Sequence, residues 1–209
     1  MRLLSKPSVL LLAVGTIAAC LALPPMAMST ALAGEKAGAG SGSPQSRKLE
    51  VGSNAPEFYP SKWIKGDPVK KFDQGKVYVV EFWATWCGPC LQSIPHLTEM
   101  QKKYKDSVVI IGMASSERVS KGGKDERFAR VQKFVKDQGD NMNYRVAFEA
   151  DRKVSKAWMG AAGVSTIPHA FIVGGDGKIV WIGDPRVPAF GENLKSAVEA
   201  ANADMKKDN

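Results

Sequence analysis

Apolar positions along the chain fall into runs with two different periods. Val77 to Trp83 (VYVVEFW) is almost continuously apolar and rich in β-branched and aromatic side chains. Such a run predicts a central strand buried on both faces, interrupted only by Glu81. Val108 to Met113 (VVIIGM) predicts a second buried strand. Pro89 to about Tyr104 reads as a helix between them. Lys124 to Gln138 reads as an amphipathic helix, with Phe128, Val131 and Val135 at i, i+3 and i+7. Asp125 and Glu126 stand early in it and Lys133 and Lys136 late, as the helix dipole favours. Val154 to Met159 is a short helix candidate. Ala170–Val173 and Ile179–Ile182 are strands, and Gly174-Gly175-Asp176-Gly177 between them is a hairpin turn signal. Glu192 to Ala203 closes the chain as a helix, with Leu194, Ala197, Val198 and Ala201 on one face. Alternating βα units imply a parallel sheet with helices on its faces, to which the hairpin adds antiparallel strands. Residues 49–209 therefore read as one α/β domain.

The first part of the chain has a different character. Arg2 and Lys6 form a basic start, and Val9 to Leu23 is an apolar run of 15 residues. A membrane-spanning helix needs about 20. Pro24 and Pro25 end the run, and Ala31-Leu32-Ala33 has the small-x-small pattern of a signal-peptidase site. Residues 1–33 thus read as an export signal. A second cleavage position stays open: Ile17-Ala18-Ala19-Cys20 resembles a lipobox, in which Cys20 would carry the lipid. Cleavage at either position, or an uncleaved anchor, puts the domain outside the cytoplasm, in a periplasmic or extracytoplasmic space. Membrane attachment is expected only through the signal or that lipid. Residues 34–48 (GEKAGAGSGSPQSRK) hold ten Gly, Ala, Ser or Pro among 15. A stretch of this kind cannot bury enough apolar area to offset its ordering entropy and reads as a flexible linker.

Composition narrows the classes without naming a function. Of 209 residues, 44% are hydrophobic and 24% charged, which suits a soluble globular protein. The net charge is +8, falling to +6 without residues 1–33. No long basic run and no interleaving of aromatic with basic residues accompanies it, so no nucleic-acid partner is expected.

Three cysteines cannot build a disulfide scaffold and are taken singly. Cys20 belongs to the leader. Cys87 and Cys90 stand in Trp86-Cys87-Gly88-Pro89-Cys90, directly after the strand that ends at Trp83. At a helix N-terminus, unpaired amides and the dipole favour a thiolate at Cys87, and the thiolate is the attacking species in disulfide exchange. Cys90 lies one turn on and can return to resolve a mixed disulfide. Pro89 suits the first helical turn because it has no N–H to satisfy. Half of a zinc site, with His96, His169 or Cys20 as further ligands, and a purely structural disulfide are the competing readings of the pair.

Phe82-Trp83-Ala84-Thr85-Trp86-Cys87-Gly88-Pro89-Cys90 resembles the active-site signature of the thioredoxin superfamily. Pro95 matches that family's helix-kinking proline. Gly163-Val164-Ser165-Thr166-Ile167-Pro168 resembles the loop whose proline is cis and faces the CxxC, where the backbone of Ile167 pairs with an incoming peptide. The resemblance covers about residues 50–203. It implies a thioredoxin fold: a central mixed β-sheet flanked by helices, here with an inserted helix between the CxxC and the cis-proline loop. The export signal and the 78 residues from Cys90 to Pro168 make the chain similar to the TlpA-like, ResA-like exported thiol-disulfide oxidoreductases. That group implies a reductant of protein disulfides, a membrane electron donor, a role in cytochrome c maturation, and no cofactor beyond the Cys87–Cys90 pair. A monomer is expected.

Glu81 occupies the position where thioredoxins bury a carboxylate. Burial should raise its pKa, so that it accepts the Cys90 proton through water. Thioredoxin pairs that acid with a lysine on the neighbouring strand, and Val108–Met113 contains none. Trp86 is expected to shield Cys87 and to offer substrate a flat apolar contact, with Trp83 as plain packing. His169, next to Pro168, would lower the Cys87 pKa if protonated; His96 reads as core or boundary. The alternatives to a reductant are an oxidase or isomerase of the same fold, a copper-binding metallochaperone using Cys87, Cys90 and His169, a peroxidase, and a non-catalytic binding module.

Overall fold

A computed structural model describes residues 48–119 and 122–207. The expected export signal, the 17–20 lipobox with Cys20, and the linker as far as Arg47 lie outside the described residues.

The chain runs β1 (Lys62–Lys65), β2 (Val77–Trp83), α1 (Gly88–Lys103), β3 (Val108–Ala114), α2 (Arg127–Gln138), β4 (Arg145–Phe148), α3 (Lys153–Ser155), β5 (His169–Val173), β6 (Ile179–Gly183) and α4 (Pro188–Lys207). The strands form one mixed sheet in the order β1-β4-β3-β2-β5-β6. β2 lies at its centre with every residue buried, parallel to β3 and antiparallel to β5. Because successive strand side chains alternate, β2 supplies both faces. Val77, Val79 and Trp83 pack with Cys87, Ile94, Leu97, Val131, Phe190 and Leu194 from the flanking helices. Tyr78, Val80 and Phe82 pack on the other face with Leu49, Phe58, Val154 and Trp158. Trp158 organises that second layer: its indole lies 5.4–6.5 Å from the rings of Phe58, Phe72, Phe82 and Phe171.

Several elements differ from their expectation for identifiable reasons. β1 and β4 were not foreseen. Each has four residues, too few to show an alternating period. The insertion after β3 is therefore more than a helix: α2 leads into a 3₁₀ turn and then into β4, which fits between β1 and β3. α2 begins at Arg127, so Asp125 and Glu126 precede it and its first turn holds no acid. Asp125 instead accepts hydrogen bonds from the Arg127 backbone N–H (3.1 Å) and guanidinium (2.7 Å). The expected helix 154–159 is the short α3 continuing as a π-helical turn, Lys156–Gly160. Glu149, fully buried, caps its start by accepting from the Val154 and Ser155 N–H groups at 2.8 and 2.9 Å. α4 starts at Pro188 rather than Glu192, because proline suits a first helical position and Phe190 adds a buried anchor. The turn Gly174–Gly177 does join β5 to β6: the Gly174 N–H donates to the Lys178 carbonyl at 2.8 Å.

Candidate active site

The centre of the sheet delivers the CxxC. β2 ends at Trp83, and Ala84-Thr85-Trp86 turns the chain into α1. The Cys87 N–H closes that turn on the Ala84 carbonyl at 3.1 Å. Cys87 is the N-cap of α1, with extended backbone, and its Sγ accepts the Cys90 N–H at 3.2 Å. Pro89 stands in the first turn, where its missing N–H costs nothing. The two cysteines form a disulfide, so this is the oxidised state. Both are buried, while Trp86, Gly88 and Pro89 beside them are exposed. The Ser93 hydroxyl donates to the Cys90 carbonyl at 2.7 Å and fixes the turn from below.

The loop before β5 meets this turn. The Ile167–Pro168 peptide bond is cis. The Ile167 carbonyl oxygen lies 3.7 Å from Cys87 Sγ, and Pro168 is buried behind it. Ser165 and Thr166 are exposed, so the backbone beside Cys87 opens to solvent.

A second loop, after β3, holds the turn from the other side and was missed from the sequence. Glu117 is 8% exposed and accepts two hydrogen bonds from Thr85, from the backbone N–H at 2.6 Å and from Oγ1 at 3.0 Å. Arg130 on α2 sits 3.6 Å from the same carboxylate. The Trp86 indole N–H donates to the Ser116 carbonyl at 2.9 Å, and the Arg118 guanidinium lies 4.0 Å over the ring. Trp86, 44% exposed, is thereby held beside Cys87. The only sequence signal was position: an acid just past the carboxyl end of a central parallel strand, where open α/β sheets place their sites.

Glu81 is 1% exposed in the middle of β2. It shares a parity with Val79 and Trp83 and so faces the layer that contains both cysteines. Its register neighbours are Gly112 on β3 and Ala170 on β5, neither of which can bond to it. Burial, reinforced by the charge of Asp184, pushes its carboxyl up from 4.5 to about 8. A glycine thus stands where the missing lysine was sought.

His169 is half-buried at the start of β5, opposite Phe82. Burial lowers its pKa below 6.5, partly opposed by Asp184. Burial thus disfavours the charged imidazole on which an effect on Cys87 would depend. His96 packs at the edge of the core, 5.9 Å from the Phe190 ring. Among the described residues, no group of three or more His, Cys, Asp or Glu side chains is placed to hold a metal. Nor is any helix among them long and apolar enough to cross a membrane.

Comparison with known proteins places this arrangement. Residues 50–199 match the Redoxin family. The protein FixW of Rhizobium leguminosarum is 35% identical over 137 residues, which is 65% of this chain and 61% of FixW. The thiol-disulfide oxidoreductase ResA of Bacillus thuringiensis (strain Al Hakam) is 31% identical over 135 residues, 64% of this chain and 69% of ResA. The match thus spans less than two thirds of FixW and slightly more of ResA. Among solved structures, the thiol:disulfide interchange protein of the thioredoxin family from Chlorobium tepidum TLS is similar, with a TM-score of 0.56 at 28% identity. That alignment covers 70% of this chain and 96% of the other.

Proposed function

The chain belongs to the Redoxin family and is a thiol-disulfide oxidoreductase of thioredoxin fold; we propose that it works outside the cytoplasm as a reductant of protein disulfides. The observation that carries the reading is the Cys87–Cys90 pair at the N-terminus of α1, with Cys87 Sγ 3.7 Å from the Ile167 carbonyl at an open backbone edge. No cofactor beyond the pair is required.

In the reduced protein, Cys87 is the nucleophile. Its thiolate takes the hydrogen bond of the Cys90 amide, and the dipole of α1 adds to that stabilisation. It attacks one sulfur of the substrate disulfide. A Cys87–substrate bond forms, the substrate S–S bond breaks, and the departing thiolate takes a proton from water. Ile167 and Pro168 align the substrate backbone, and Trp86 covers the reacting sulfur. In molecules whose Glu81 is ionised, Cys90 then gives its proton to that carboxylate and attacks Cys87 Sγ. The Cys87–Cys90 bond forms and the second substrate thiolate leaves. Two electrons have passed from the pair to the substrate.

Restoring the pair needs an external dithiol, in this reading a membrane electron donor. Its thiolate attacks Cys87, and Cys90 departs as a thiolate; the donor's second thiolate then attacks the donor sulfur of that mixed disulfide, closing the donor's own disulfide and freeing Cys87 as a thiolate. With a carboxyl titrating near 8, Glu81 holds a proton at neutral pH in the oxidised state and returns it to Cys90. Export rests on the basic start, the apolar run and the Ala31-Leu32-Ala33 site of the first 33 residues. Cytochrome c maturation is the process that the ResA-like resemblance favours.

The test is a trap. A Cys90→Ser variant of the full chain, expressed in cells, should accumulate mixed disulfides through Cys87 with extracytoplasmic proteins. A Cys87→Ser variant should accumulate none. Equal adducts in both variants would overturn the reading.

A further inference from the structure

Among the described residues, four polar side-chain atoms around the central strands are buried without a protein hydrogen-bond partner, besides one on His169: Glu81 Oε1, Trp83 Nε1, Tyr144 OH and Ser115 Oγ. The residues that carry three of them, Glu81, Trp83 and Tyr144, meet at Gly112. Glu81 is the register partner of Gly112. A methyl group built on Gly112 would lie 3.0 Å from Tyr144 Cε2 and 3.1 Å from Trp83 Nε1. The indole N–H and the edge of the phenol therefore flank the same bare backbone position beside which the carboxyl stands. Trp83 is 1% exposed and Tyr144 4%. Buried polar groups without protein partners are generally satisfied by ordered water, which needs two to four polar partners. A donor N–H, a hydroxyl and a carboxyl supply three.

We propose that Glu81, Trp83 and Tyr144 share one buried water above Gly112, and that Tyr144 is a positioning residue that stabilises the Glu81 carboxylate through it. The inference rests on Glu81 serving as the proton acceptor of Cys90. Tyr144, from the segment just before β4, then fills the place for which thioredoxin's second-strand lysine was expected. The glycine on β3 gives the phenol its space. The phenol and the indole N–H fill the two acceptor positions of the water and keep their protons, and the water donates to the Glu81 carboxylate; the Cys90 proton passes to that carboxylate itself. The Glu81 charge is felt at the phenol, which burial first, and that charge second, hold well above its ordinary range.

Few other groups bear on Glu81. β3 and β5 offer Gly112 and Ala170. α1 offers Cys87 and Cys90, and the layer from α4 is apolar, with Phe190 and Leu194. Asp184, after β6, is the acid whose charge acts on it, and Asp184 is itself paired with Arg186 at 2.6 Å and close enough to His169 to interact.

Tyr144→Phe keeps the ring against Gly112 and removes only the hydroxyl. The measurement is the NMR titration of the Glu81 side-chain carboxyl in the oxidised protein, its signal identified by loss in Glu81→Gln. A hydrogen bond to a charged group is strong enough that losing a water-mediated one should raise the midpoint by about one pH unit. Trp83→Phe should shift it the same way. The rate at which dithiothreitol reduces the Cys87–Cys90 bond should shift along the pH axis by the same amount in Tyr144→Phe. A Glu81 midpoint unchanged in Tyr144→Phe overturns the role of Tyr144, whatever Trp83→Phe does. A pH profile of reduction that is identical in Glu81→Gln and the parent overturns instead the use of Glu81 as proton carrier, whatever the titration shows.

Discussion

Replacing Glu81 by Gln should alter how stability depends on pH more than any other conservative change in the core. A carboxyl that titrates at 4.5 when solvated and at about 8 when folded binds more protons in the folded state between those values. Stability therefore falls as pH rises through that window. Below pH 4 both states are protonated and there is no penalty. By pH 7 the penalty is ~3 kcal/mol, and above pH 8 it approaches ~5 kcal/mol, at about 1.4 kcal/mol per unit. Domains of this size are stable by only about 5–15 kcal/mol, so the effect is large. Gln keeps the volume and cannot titrate. The assay is urea unfolding of the oxidised parent and of Glu81→Gln at intervals from pH 4 to 9. The difference between the two cancels every group that is common to both and indifferent to Glu81. The variant should gain ~3 kcal/mol on the parent from pH 4 to 7, and more by pH 9. Parallel curves from pH 5 to 9 would refute the reasoning, because they would mean that the carboxyl is solvated or that a cation neutralises it.

Glu117→Ala should cost ~1–3 kcal/mol, since it leaves the half-buried Thr85 N–H and hydroxyl without their acceptor; urea unfolding reads the loss. The same variant should increase the solvent quenching of Trp86 fluorescence, as its supporting loop loosens. His169 should titrate below 6.5 by NMR, and Asp184→Asn should lower its midpoint further, because the Asp184 charge opposes the effect of burial. A His169 midpoint above 6.5 in the parent would contradict the half-buried position of the ring.

What the sequence disclosed, and what it withheld, follows from range. β2 and β3 were legible because burial on both faces leaves an apolar run with no competing period. The CxxC was legible because its residues are contiguous and its place at a strand-to-helix junction is local. β1 and β4 were not legible. Four residues such as Arg145–Phe148 acquire their meaning only from the neighbours they pair with. The start of α4 was missed because Pro188 looks like a stop when read without Phe190 beneath it. Glu117 and Tyr144 were missed for a further reason. Glu117 meets Thr85 across 32 positions, and Tyr144 reaches Gly112 from the segment just before β4, so no spacing announces either contact. The absent lysine was visible in the sequence. That a glycine, an indole and a phenol surround the acid instead was not.

The direction in which electrons move sets what the Cys87–Cys90 pair does. The reduction potential of the Cys87–Cys90 pair, measured by equilibrating the protein in defined thiol/disulfide buffers, tests it most directly. A reductant of this kind should lie near thioredoxin, at about −270 mV. A value near −120 mV, typical of a strong periplasmic oxidant, would instead make the protein a donor of disulfides.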